Sequence, residues 1–100
     1  MERIALRTRL RPGTEETYDR EHKTIPAELE AEMRAYGVRT WQIWRDGLDL
    51  FHYVEVEDYA AMQEKLRDSA ANQAWQRQIN RLLDGDFDAG DGGLSKVWEM

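Results

Sequence analysis

The chain is 100 residues long, 41% hydrophobic, and carries a formal charge of -6. That length suits one domain with one core, residues 1–100, and the acidity excludes a phosphate-binding surface, which needs cations to release counterions from nucleic acid. Cysteine is absent, which excludes disulfides, thiol nucleophiles and thiolate metal sites, and the charged opening MERIALRTRLRPG interrupts any apolar run long enough for a signal peptide or membrane helix. The expectation is a cytoplasmic protein whose ligand is neutral or absent, with no nucleic-acid or membrane partner.

Residues 3–11 alternate, with Ile4, Leu6, Thr8 and Leu10 on one side and Ala5, Arg7, Arg9 and Arg11 on the other, the pattern of a half-buried strand. Pro12-Gly13 ends it, and Thr14 followed by Glu15 and Glu16 provides an N-cap and two carboxylates for a positive helix end. Tyr18, His22, Ile25, Leu29, Met33 and Tyr36 recur at helical intervals until Gly37, a left-handed stop. Pro26 interrupts this run, because its ring clashes with the carbonyl four residues back, that of His22. A break near Lys23 is expected, with Thr24 capping a second segment that starts at Ile25 and Pro26.

VRTWQIWR (38–45) and LFHYVEVE (50–57) are rich in β-branched and aromatic residues, and the Asp46-Gly47 turn makes them a hairpin. Asp58 and Ser69 cap two successive helical stretches, one carrying Tyr59, Met62 and Leu66, the other Ala71, Trp75, Ile79, Leu82 and Leu83. An acidic, glycine-rich loop (84–93) precedes LSKVWEM, read as a last strand. The order β-α-β-β-α-β is ferredoxin-like and α+β, with both helices on one face of an antiparallel sheet. Apolar residues occur on both strand parities (Trp41 and Ile43 against Trp44, Val54 and Val56 against Phe51 and Tyr53), so the second face also needs cover from a subunit or a ligand pocket.

Tyr18 and His22 are four apart and share a helix face, the spacing of two residues packed at the core edge and one that also permits a proton-transfer pair. His52 shares the parity of Val54 and Val56 and reads as a hydrogen-bonded histidine within a packed face. No H-x-H or H-x-x-x-H spacing points to a metal, and the run beginning at Asp84 departs from a calcium loop at Ala89 and Ser95. Trp41, Trp44, Trp75 and Trp98 suit core packing, and indole faces also stack on the C–H faces of sugars.

Y-x-x-x-H at Tyr18 and His22, I-P-A-E-L-E (25–30), WQIW (41–44), V-E-V-E (54–57), Trp75 and K-V-W (96–98) together resemble the L-rhamnose mutarotase family over essentially the whole chain. The resemblance implies a homodimeric α/β barrel without cofactor or metal that interconverts sugar anomers. It implies His22 as the proton donor, and Tyr18, Trp41, Trp75 and position 74 as substrate contacts. Trp41 stands where the family usually has Tyr, Ala74 where it has the first of two tryptophans, and Pro26-Ala27 where it tends to read Trp-Pro. The substrate is therefore open between L-rhamnose, L-fucose and another six-carbon sugar. A cofactor-independent monooxygenase of the same barrel and a non-catalytic dimeric binding module are the rival readings.

Overall fold

The structure is a computed structural model that describes residues 1–88, 90 and 92–100. Ala89, one of the two positions on which the calcium-loop reading turned, lies outside the described residues. The elements are β1 (Glu2–Arg9), α1 (Glu15–Glu21), α2 (Ala27–Ala35), β2 (Val38–Asp46), β3 (Asp49–Val56), α3 (Tyr59–Arg67) and α4 (Ala70–Asn80). The strands form an antiparallel sheet in the order β1-β3-β2, as α+β, ferredoxin-like topology requires.

Strand alternation sets the layers. Leu6 faces His52 across β1–β3, and Ile43 faces His52 across β2–β3, so their common parity turns toward the helices. Leu6, Leu50, Val54 and Val56 are buried there with Leu29, Met62, Leu66 and Ile79 from the helices. On the opposite parity Trp44 and Phe51, paired across the hairpin, remain 56% and 40% exposed. One sheet face is thus covered by helices and the other is open.

Asp58 and Ser69 cap α3 and α4 as their side chains imply, accepting from the Ala61 and Asn72 backbone N–H groups. Gly37 ends α2 at φ 96°, where a Cβ would sit 3.0 Å from that of Glu57. Thr14 stands before α1, yet its hydroxyl donates to the Arg11 carbonyl at 2.7 Å and makes no cap bond. Thr24 is not the cap of the second segment: the chain turns from His22 to Pro26 and α2 starts at Ala27 with Pro26 in the N-cap position. A proline at that place loses nothing, because its missing N–H would have had no partner within the helix.

The last strand expected over 94–100 is not formed in the single chain. Leu94 N–H donates to the Ala5 carbonyl at 2.7 Å, the beginning of a ladder on the free edge of β1. Beyond it the segment leaves the sheet, with Val97 94% and Trp98 75% exposed. Apolar pattern gives this segment the composition of a strand, but a strand also needs a neighbouring backbone and a surface on which to bury its side chains.

Candidate functional site

A cleft between the helical layer and the sheet holds a cavity of about 90 Å³, walled by Ile25, Leu29, Met33, Ile43 and Phe87 among others. A single water needs about 10–15 Å³, so several waters fit. Tyr18, His22, Trp41 and Trp75, drawn from α1, its C-terminal turn, β2 and α4, all line it. Ala74 does not. It is exposed on α4, because adjacent helical residues are turned about 100° from one another and Trp75 takes the inward direction.

His22 is the residue at which α1 stops. The Tyr18 carbonyl accepts from its backbone N–H at 3.0 Å and lies 3.3 Å from its Nδ1. A carbonyl only accepts, so Nδ1 carries the hydrogen and Nε2 keeps its lone pair. The imidazole stacks on Tyr18 with centroids 3.8 Å apart, and Trp75 meets it edge-on at 5.0 Å. Tyr18 and His22 do share a face, but as stacked rings. Burial pushes the His22 pKa below its ordinary value, partly countered by the Tyr18 carbonyl and by Glu21 and Asp19. Burial also raises the Tyr18 phenol, which stays protonated at neutral pH. The end of α1 is held by two ion pairs: Arg45 of β2 grips Asp19 bidentately at 2.9 and 2.8 Å, and Arg81 pairs with Glu21.

A second polar group faces the same cleft. Trp41 Nε1–H donates to His52 Nδ1 at 3.1 Å, and His52 Nε2 lies 3.0 Å from Thr8 Oγ1. Burial, with a smaller contribution from His22, pushes the His52 pKa down to about 4, so this ring is neutral at physiological pH. Phe87 packs 6.4 Å from Trp41 and 6.2 Å from His52, closing that end. Gln63, Asn72 and Gln76 add amides to the wall. The residue-by-residue reading of the sequence missed Thr8 and these amides as site residues, and took His52 as structural. The signal available was parity: Thr8 and Trp41 are both diagonal to His52 in register, on the inward face. Among the described residues no group of three or more His, Asp or Glu side chains is placed to hold a metal ion.

The arrangement is an apolar, aromatic-walled hollow lined by His22, whose Nε2 is engaged by no described residue. The sequence profile of the L-rhamnose mutarotase family matches residues 3–100. The L-rhamnose mutarotase of Listeria monocytogenes (serotype 4b, strain F2365) is 35% identical over 85 residues, covering 83% of this chain and 81% of that protein. The L-rhamnose mutarotase of Oceanobacillus iheyensis is 27% identical over 79 residues, 77% of this chain and 75% of its own. Among solved structures, the crystal structure of L-rhamnose mutarotase FA22100 from Formosa agariphila superimposes with a TM-score of 0.81 at 21% identity, covering 100% of this chain and 99% of that one. At that identity it speaks for the fold.

Proposed function

Because the chain belongs to the L-rhamnose mutarotase family, we propose that it interconverts the α and β anomers of L-rhamnose or a closely related deoxyhexose, with His22 as the proton-transferring residue. Family membership selects the isomerase over the oxygenase and the non-catalytic module. The observation that carries the site assignment is the fixed tautomer of His22, whose Nδ1–H is engaged by the Tyr18 carbonyl while Nε2 keeps its lone pair in a ring that lines the cleft.

Mutarotation opens and recloses a hemiacetal without any net change in bonding. In opening, the anomeric hydroxyl loses its proton, the bond between the anomeric carbon and the ring oxygen breaks, and the ring oxygen gains a proton. The resulting aldehyde rotates and is attacked on its other face, with the protons returned. A depressed pKa keeps resting His22 neutral, so Nε2 first receives the anomeric proton. The imidazolium then acts as the proton donor to the carbonyl oxygen on closure, and solvent reaching the cleft serves the ring oxygen. A positioned group of this kind contributes roughly 10²–10⁴-fold, adequate for a reaction that already proceeds in water.

Tyr18 fixes the imidazole plane by stacking, and Trp41 and Trp75 offer ring faces to the sugar. Trp41 has its N–H committed to His52, so its contribution to the sugar is the indole face. The functional unit is a homodimer acting in the cytoplasm. The open sheet face with Trp44 and Phe51, and the tail with Val97 and Trp98, support the dimer, since a second copy burying them would remove exposed apolar surface. Sedimentation equilibrium that returned only monomer at micromolar concentration would refute it. Magnetisation-exchange NMR on L-rhamnose, L-fucose and mannose with catalytic amounts of protein tests the activity. Faster exchange on at least one 6-deoxy sugar is expected; no acceleration on any would end the proposal.

A further inference from the structure

Thr8 and His52 have no part in the proton transfer just described, yet both line its cleft. His52 is buried, and its two ring nitrogens are both engaged. Trp41 Nε1 is a donor only, so His52 Nδ1 must be the accepting, unprotonated nitrogen. A neutral imidazole carries its single hydrogen on the other nitrogen. Nε2–H therefore donates to Thr8 Oγ1 at 3.0 Å. The ring is thereby ruled out as the base of the reaction, because its one lone pair is occupied by the indole.

The consequence falls on Thr8. Its oxygen accepts from His52, which leaves its own hydroxyl hydrogen unspent, and no described residue is seen to take it. The hydroxyl is half-buried in a wall that is otherwise mostly aliphatic and aromatic. A donor held there finds a partner when a ligand hydroxyl displaces solvent, and rejects a ligand that presents hydrogen at the same place.

We propose that Thr8 is a specificity-determining residue, donating a hydrogen bond to one non-anomeric hydroxyl of the bound sugar, with His52 and Trp41 as positioning residues that fix the direction of that donor. The inference rests on the mutarotase reading, because it requires a monosaccharide in this cleft. The chain of donors runs one way, from indole to imidazole to threonine to sugar. It selects among sugars without touching the reacting centre, so it acts on KM rather than on kcat.

The experiment compares wild type, Thr8→Val, Thr8→Ser, His52→Gln and His52→Leu in anomer exchange on L-rhamnose and on each of its non-anomeric monodeoxy analogues. Thr8→Val keeps the shape and removes the donor, and should raise KM roughly 10-fold on L-rhamnose with kcat nearly constant. On the one analogue lacking the contacted hydroxyl the same substitution should cost nothing. Thr8→Ser should restore discrimination, and His52→Gln, whose amide still donates, should retain it while His52→Leu loses it. A loss equal on every sugar, or no loss on any, overturns the assignment; a purely structural defect would give the former. Wild type that exchanges no sugar would remove the mutarotase reading itself, visible before any substitution is made.

Discussion

His52 makes stability depend on pH in a direction and amount that can be worked out. Its pKa is held at about 4 in the fold against an ordinary value of 6.5. Between those values the unfolded chain binds a proton that the folded chain refuses, so stability is complete above the unfolded pKa and is lost as pH falls toward the folded one. For one site the loss between about pH 8 and about pH 5 is RT times the logarithm of the ratio of proton-binding terms, or about 2 kcal/mol. With a denaturant slope of about 2 kcal/mol/M for a domain of this size, that is a drop of about 1 M in the urea midpoint. His22 contributes in the same direction, and carboxylates such as Asp19, held low chiefly by Arg45, titrate at lower pH. The difference between wild type and His52→Gln, each unfolded in urea across the pH range, isolates the His52 share. Equal pH slopes for the two proteins would show that the imidazole is not kept neutral by burial and by its bond from Trp41.

Asp58→Ala and Ser69→Ala each remove a side-chain acceptor from a helix start and should lower stability by about 0.5–2 kcal/mol, read from urea midpoints at constant slope. Pro26→Ala frees the turn between α1 and α2 in the unfolded chain more than it alters the folded one. A loss of about 0.4–1 kcal/mol is expected, with a larger proportional fall in exchange rate because His22 is placed by that turn. Unchanged turnover in a Pro26→Ala protein would uncouple the turn from the chemistry.

Local chemistry made most of the fold legible. The parity of Leu6, Thr8 and Leu10, the Asp46-Gly47 turn and the Asp58 and Ser69 caps depend on neighbours within a few residues, and all appear where those neighbours place them. The tail at 94–100 does not, because its strand character depends on a backbone partner that, among the described residues, one copy of the chain supplies only at Ala5. The site divides in the same way. Tyr18 and His22 meet through helical spacing, and Trp75 joins them through the inward stripe of α4. Ala74 was carried from the family pattern and is turned outward by the same helix geometry. The Trp41–His52–Thr8 connection spans three strands, and seeing it requires the register as well as the parity. A histidine with aliphatic neighbours in sequence reads as packing until the groups across the sheet are known.

Proton transfer at a single imidazole is the central claim, and anomer exchange by a folded His22→Ala protein tests it most directly. Near-ultraviolet circular dichroism matching wild type would establish that the aromatic cleft persists. Exchange of L-rhamnose anomers should then fall by roughly 10²–10⁴-fold, toward the rate in buffer alone. A folded variant that turns the sugar over at the wild-type rate would contradict the account.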